Sequence, residues 1–356
     1  MPNLNSIVSI NIVVLNGEKY IRHCLDSVLA QSYPHELIEI NILDNGSTDG
    51  TAGFIENWKI KNGNFKITFK KSNFNYGMWG GQEELLKQSL GKYIVILSVD
   101  VILEKDFLTN AVQALDADSG LGAIQAKVYQ FDIQKLETGN CHKDLPKGEK
   151  LETGVIDTCG FKVFRSRRVI NVGHGEVNTG QYGKACEIFG VEGAVPVFRK
   201  EALESIRVLE EITDHDLFWY GEDLDVAWRL RLAGWRQCYE PSVVAWHDRQ
   251  TTKQTRRGLR DFIAIRRAIP LRKRQLEWRN IRCTIIKNDY IINILKDLLP
   301  ILSREIAMTV YLLIFETAVF AELPTLLKLI PRMLRKRQEI MKRAKVGPTE
   351  IHAYFS

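Results

Sequence analysis

IVSINIVVL at residues 7–15 and IEINIL at 38–43 are continuous β-branched and aliphatic runs. A strand buried on both faces reads this way, without alternation of polar and apolar positions. Between them, residues 18–31 put Ile21, Leu25, Val28 and Leu29 on one helical stripe. The second run ends in DNGSTDGT (44–51), dense in turn formers and helix caps. The pattern predicts a helix over 51–61, a strand over 65–70, a helix over 80–90 and a strand in YIVILSVD at 93–100. Strands alternating with helices imply βαβ units, a parallel sheet and an α/β fold. Ligands of such sheets bind beyond the carboxyl ends of the strands, where Asp44 and Asp100 fall.

Further along, residues 137–193 are rich in Gly and polar residues and read as long loops. GEDLDVAWRLRLAG at 221–234 returns to helical spacing, and WRQCYEPSVVAWH at 235–247 reads as a closing strand that ends in a histidine.

The chain of 356 residues is 45% hydrophobic and 26% charged, which excludes an intrinsically disordered polymer. Its cysteines, at 24, 141, 159, 186, 238 and 283, form no CxxC pair. That spacing points to a reducing compartment, with neither a zinc site nor a disulfide framework. No charged segment followed by an apolar run opens the chain, so no secretory signal is expected. Charge divides unevenly. Residues 1–250 carry 27 Lys+Arg against 34 Asp+Glu, and residues 251–356 carry 22 against 9. A basic tail on an acidic body suggests an anionic partner, lipid or nucleic acid. The tail offers Trp278 and Tyr290 but no aromatic–basic interleaving of the kind that stacks bases, so no nucleic acid is expected. Its apolar stretch from 291 is flanked by basic clusters, and the uncharged run 306–315 is only ten residues. A spanning helix needs about 20, so in-plane membrane attachment through 251–345 is expected. Packing on the body and a homodimer seam are the alternatives.

Several residues stand where chemistry is done. Asp44 can accept hydrogen bonds from a nucleobase imide or a ribose hydroxyl, and Asn16 at the first strand end can touch the same group. Asp49 reads instead as a turn and helix cap. Asp100 suits Mg²⁺ or Mn²⁺ on a diphosphate, with His247 as a second ligand. Glu222 and Asp223 open a helix, which is favourable for acids in any case. About 100° apart on the helix, only one of them can face a substrate as general base. Arg229, further along, can pair with a carboxylate or a phosphate.

Together VVLNGEKYIRHCLDSVLAQSYP, ILDNGSTDGT, NYGMWGGQ, GKYIVILSVDVIL, VEGAVPVFRKEAL, YGEDLDVAWRLRLAGW and EPSVVAWH resemble the inverting glycosyltransferases of family 2 over residues 7–250. The final motifs and WRNIRCTIIKN (278–288) are most similar to the rhamnosyltransferase-like branch. The resemblance implies a GT-A type Rossmann-like mixed sheet flanked by helices in residues 1–250, with a nucleotide half to about 117 and an acceptor half beyond. A helical extension over 251–356 follows. It further implies that Val14, Asn16, Asp44, Asn75, Gly77, Ser98 and Asp100 hold a nucleotide-diphosphate sugar, from a dTDP or UDP donor. Asp223 would be the base, with Glu222 beside it. Gly193, Glu222 and Arg229 would meet a glycan or lipid-linked acceptor, and Asp100 and His247 the metal. Ser98 departs from the family, standing where its DXD motif has the first Asp, which admits an inactive relative. The implied place is the cytoplasmic face of the cell membrane, in surface polysaccharide synthesis, with rhamnose the first sugar expected.

Overall fold

The computed structural model describes residues 5–134, 154–249 and 258–356. Twelve strands are formed among them: β1 (Val8–Val14), β2 (Ile38–Asp44), β3 (Lys66–Lys71), β4 (Tyr93–Ser98), β5 (Val101–Leu103), β6 (Leu121–Gln130), β7 (Ile156–Thr158), β8 (Phe161–Val163), β9 (Val169–Asn171), β10 (Cys186–Glu187), β11 (Val197–Arg199) and β12 (Arg236–His247). The large sheet runs β10-β12-β6-β11-β4-β1-β2-β3, with β5 paired to β12 and β7 to β6, while β8 and β9 form a separate pair. β3, β2, β1 and β4 are parallel, as are β6 and β12. β11 is antiparallel to both β4 and β6, which makes the sheet mixed.

That one reversed strand shapes the working edge. Because β11 runs backwards, the residues entering it lie beside the carboxyl end of β4, where the Ser98 N–H donates to Ala194 O at 3.0 Å. β5 turns back after β4 and pairs Val101 with His247, setting the end of β12 beside Asp100. The register of β1 aligns Val14 with Asp44 and Val13 with Ser98.

The first two strands are buried along their whole length, as their unbroken apolar runs predict. One core lies under β1 and the helix Glu18–Leu29, with Ile10, Leu25, Ile55, Leu97 and Phe107. A second lies on the other face, with Ile96, Phe198, Val226 and Leu230. The helix expected at 80–90 starts earlier, at Gly77–Leu86. It packs so close to β1 that a Cβ on Gly81 would come within 2.8 Å of Val13.

The C-terminal helices Leu271–Asn288 and Leu323–Arg343 do not form a separate body. Their Ile285 and Ile340 share a core with Leu224 and Trp228 of the helix Glu222–Leu232. Among the described residues three cations of the tail, Lys287, Arg332 and Lys336, are counter-ions for an acidic stretch of the body, and others pair with acids of the tail itself. Lys287 Nζ lies 2.5 Å from Asp214 and 2.8 Å from Asp225. Lys336 Nζ lies 2.5 Å from Asp214, 2.9 Å from Glu211 and 3.0 Å from Asp216. Burial pushes the Asp214 carboxyl up, but the two ammonium groups outweigh it and hold it well below the ordinary carboxylate range. Removing Lys287 takes one of two bonded cations from each of two buried carboxylates, leaving Lys336 on Asp214 and Arg229 on Asp225. Lys287→Ala should destabilise the chain by about 1–3 kcal/mol, read as a lower urea midpoint, and an unchanged midpoint would contradict this account.

Candidate active site

Asp44 is fully buried at the end of β2. Its Oδ1 accepts the Ser47 N–H at 2.8 Å, and its Oδ2 has no partner among the described residues. Asn16, at φ +52°, donates its N–H to Ser47 Oγ at 2.8 Å and accepts the Thr48 N–H on Oδ1 at 2.8 Å. The ends of β1 and β2 are thereby tied. Asp49 accepts the N–H and hydroxyl of Thr51 at the start of the next helix, the local role its sequence setting predicts. Asn75 Oδ1 accepts the Gly77 N–H at 2.8 Å, and Gly77 O accepts Asn45 Nδ2 at 3.0 Å, joining this turn to the same edge. Gly77 has φ +75°, and a Cβ there would meet Phe218 O at 2.8 Å. Only glycine lets the 217–221 loop close over this point.

Next along the edge, Asp100 and His247 meet. His247 Nε2 lies 3.4 Å from Asp100 Oδ2, and its Nδ1 lies 2.9 Å from Asp157 Oδ2. Burial disfavours the imidazolium, but the two carboxylates prevail and raise its pKa to about 10. Asp157 is fully buried. It also accepts Arg249 Nε at 2.7 Å, and burial notwithstanding, Arg249 and His247 hold it well below the carboxylate range. Arg249 reaches on to Glu192 Oε1 at 2.7 Å.

Glu192 adjoins Gly193, whose N–H donates to Asp223 Oδ2 at 3.2 Å, while Asp223 Oδ1 accepts the Leu224 N–H at 2.8 Å. Burial, and then the charge of Glu192, raise Asp223 to about 6. Glu222 is raised to about 8, by burial first and then by Asp223 and Asp225. Its Oε1 is buried without a partner among the described residues. The loop feeding this helix is held in the left-handed region, at φ +59° for Phe218, +65° for Tyr220 and +94° for Gly221. Asn280, from the C-terminal helix, donates Nδ2 to the carbonyls of Leu217, Trp219 and Tyr220 at 2.9, 2.8 and 2.6 Å.

Bonded contacts therefore run unbroken from Asp100 through His247, Asp157, Arg249 and the Glu192–Gly193 peptide to Asp223. Asp44 and Asn16 lie at strand ends on the same edge. Arg229 is not part of it. Its guanidinium is buried against Asp225 at 2.7 Å and the Ile206 carbonyl at 2.7 Å, so it braces the helix from behind and offers nothing to an acceptor. Gly193 serves through its backbone, positioning Asp223. Asp157, Glu192 and Arg249 escaped the sequence reading. Glu192 and Arg249 sit one residue from Gly193 and two from His247, which is a weak local signal; Asp157 has none.

The pair Asp100 and His247 fits a divalent cation. Once metal binding displaces the extra ring proton of His247, a carboxylate and an imidazole nitrogen are donors that Mn²⁺ accepts, and Asp157 holds the far nitrogen as outer carboxylates do in metal sites. Among the described residues no three His, Cys, Asp or Glu side chains are grouped to hold an ion unaided, so phosphate oxygens would complete the coordination.

The glycosyl transferase family 2 model matches residues 9–170. Over that stretch, a little under half of its length, the chain resembles this family. It is similar to the poly-beta-1,6-N-acetyl-D-glucosamine synthase of Staphylococcus epidermidis, 26% identical over 239 residues, which are 67% of this chain and 49% of that protein. The synthase of Staphylococcus aureus strain COL is 28% identical over 254 residues, 68% of this chain and 53% of that protein. The chain thus spans about half the length of the curated relatives it matches. Their names carry N-acetylglucosamine and lend no support to the rhamnosyl branch. A mannosyltransferase from Pyrobaculum calidifontis, solved with GDP-Man and Mn²⁺, aligns with a TM-score of 0.53 at 18% identity over 98% of this chain and 88% of that one. That likeness is one of fold, and the mixed sheet flanked by helices is GT-A-like.

If Asp157 orients the metal-binding imidazole, Asp157→Asn should weaken Mn²⁺ binding about 10–100-fold, followed by electron paramagnetic resonance. Unchanged affinity would remove Asp157 from that role.

Proposed function

We propose that the chain is an inverting glycosyltransferase of polysaccharide synthesis, taking its sugar from a nucleotide diphosphate. The observation that carries the reading is the bonded line from Asp100 to Asp223, which links a diphosphate-binding carboxylate to a poised base along one sheet edge. Asp44 Oδ2, buried and unpartnered, suits the imide N–H of uracil or thymine, which supports a UDP or dTDP donor. Val14, Asn16, Asn75 and Gly77 shape the nucleotide cradle, and Ser98 stands before Asp100. Bound Mg²⁺ or Mn²⁺ at Asp100 and His247 would offset charge on the leaving diphosphate.

Asp223 does the proton chemistry. The acceptor hydroxyl gives its proton to the Asp223 carboxylate, and its oxygen forms a bond to the anomeric carbon. The bond from that carbon to the diphosphate oxygen breaks on the opposite face, and the diphosphate leaves with the electron pair. The N–H groups of Gly193 and Leu224 hold the base in place while leaving it in a poorly solvated site, which keeps its pKa high enough to accept a proton. Glu222, raised to about 8, is largely protonated at neutral pH and can donate a hydrogen bond to the acceptor. The sugar itself is read from no residue; rhamnose remains an expectation from motif resemblance alone, and the names of the relatives point toward an N-acetylhexosamine.

Attachment to a membrane surface belongs to the same reading. Among the described residues one helix, Leu298–Phe315, is long and apolar enough to cross a membrane by length and composition, more than the ten-residue uncharged run suggested. Its charges turn inward, where Arg304 pairs with Glu305 at 2.7 Å and Arg282 bonds Glu305. Its outer stripe is bare: Leu299 is 81%, Ile306 63% and Ile314 65% exposed. A helix with one face packed on its own protein and the other apolar lies in a membrane surface.

Asp223→Asn should lower transfer about 10²–10⁴-fold with donor affinity retained in a nucleotide-sugar titration. Because the base must be deprotonated, kcat/KM should climb with unit slope below about pH 6 and level above it. A flat profile between pH 5 and 7 would exclude Asp223 as the titrating base. Ile306→Glu with Leu313→Glu should abolish co-flotation with phosphatidylglycerol vesicles at unchanged Tm; undiminished flotation would exclude this face.

A further inference from the structure

The helix Leu271–Asn288 meets the loop that feeds Asp223 at two points, about two turns apart on one face. At the first, Asn280 bonds the loop carbonyls and packs so close that a Cβ on Gly221 would lie 3.3 Å from its own Cβ. At the second, Lys273 Nζ lies 4.4 Å from the centroid of the Tyr220 ring. That ring is stacked on Trp219, with centroids 4.3 Å apart and planes at 27°. Its backbone is fixed at φ +65°, with the carbonyl bonded to Asn280 at 2.6 Å. The aromatic surface under the ammonium is therefore held rigidly, three residues before Asp223.

Lys273 is half-buried, and no carboxylate among the described residues lies within ion-pair distance of its Nζ. The structural counter-ions of this chain look different. Lys287 and Lys336 sit 2.5 Å from Asp214, and each bonds at least one further carboxylate. The charges that act on Lys273 are those of Glu277 on its own helix and of Arg249, Glu192 and Asp223 on the working edge. Burial prevails and pushes its pKa down to about 8, so the acids around it do not replace the water it has lost.

Arg249 leads to the pair Asp100 and His247 through Asp157, and Asp223 is the base. An ammonium that feels both Arg249 and Asp223 faces the stretch of the edge between the two. Transfer raises negative charge there, on the oxygen that leaves the anomeric carbon. The neighbouring cations are already committed, His247 to Asp100 and Asp157 and Arg249 to Asp157 and Glu192. A partly desolvated ammonium without a carboxylate partner is completed by a phosphate oxygen. A counter-ion role explains neither the missing ion pair nor the burial, and an acceptor hydroxyl is neutral. We propose that Lys273 is a catalytic residue supplied by the C-terminal helices, whose ammonium binds the β-phosphate of the donor and stabilises the diphosphate as it leaves. Its N–H donates to a non-bridging oxygen and the proton stays on nitrogen. The bond from the anomeric carbon breaks meanwhile, and its electron pair goes to the diphosphate oxygen. This role rests on the transferase reading.

Isothermal titration of the full chain with UMP, UDP, dTMP and dTDP, with Mn²⁺ present throughout, tests it. The monophosphates offer the same base and ribose but lack the β-phosphate, and their binding also reports that a variant is folded. Lys273→Gln, which removes the charge and keeps most of the length, should weaken the diphosphates about 10-fold and leave the monophosphates unchanged. Lys273→Arg should restore most of the loss. In transfer from a UDP- or dTDP-sugar, Lys273→Gln should lower kcat by a larger factor than it raises KM, because charge on the β-phosphate grows in the transition state. Equal losses for mono- and diphosphates would reduce Lys273 to a support of the Tyr220 loop. Undiminished diphosphate affinity in Lys273→Gln would remove it from the site, and a raised KM at constant kcat would leave it no part in the chemistry. Each of these three results overturns the proposal and spares the transferase reading. An unmodified chain that binds none of the four nucleotides would instead sink the nucleotide-donor reading, and the proposal with it.

Discussion

Asp157 is a carboxylate with no solvent contact, and a desolvated charge of that kind persists only when it is paired and hydrogen-bonded. It takes His247 on one oxygen and Arg249 on both. The first contact turns His247 toward Asp100; the second carries Arg249 to Glu192 and so to the peptide that holds Asp223. The Asp100 end and the Asp223 end of the edge are thus positioned by one buried anion.

Around that anion the carboxyl groups are driven apart. Asp157 and Asp100 are lowered by the cations beside them, against the pull of burial. Glu222, buried, and Asp223, half-buried, have no cation bonded to either among the described residues and are raised to about 8 and about 6. Such separation allows one site to hold an ionised carboxylate next to an acid. It has a consequence for folding. Between the ordinary carboxylate range and those values, the folded chain keeps protons that the unfolded chain has released, so stability falls as pH rises across that window. The ion pairs of Lys287 and Lys336 stabilise the neighbouring segment and work in the opposite sense, since the carboxylate of Asp214 is lowered. Their contribution is present above the ordinary carboxylate range and is lost as pH falls.

Much of the fold was legible because it is written locally. The runs at 7–15 and 38–43 became β1 and β2, the turn at 44–51 introduced the helix Thr51–Lys61, and the closing strand ends at His247 as read. Asp44, Asp100 and Asp223 could be singled out because strand ends and a helix start can be seen in sequence. Asp157 was not, since its partners stand 90 and 92 residues away and its strand is three residues long, in a region read as loop. Arg229 misled for the converse reason. Its helical position suits a ligand, yet the acid four residues before it, Asp225, claims it in the interior. Net charge misled in the same way. The excess of cations in the tail reads as an external surface until the acids of residues 211–225 are seen packed against it.

The side-chain amide of Asn280 holds three carbonyls of one loop from another part of the chain, those of Leu217, Trp219 and Tyr220. A boundary drawn at residue 250, where the sheet is complete, would keep every strand and each acid of the working edge. It would also take away the clamp that sets the approach to Glu222 and Asp223, together with the ammonium group of Lys287 between Asp214 and Asp225. The working edge therefore draws on more of the chain than the sheet, and the last hundred residues belong to its geometry.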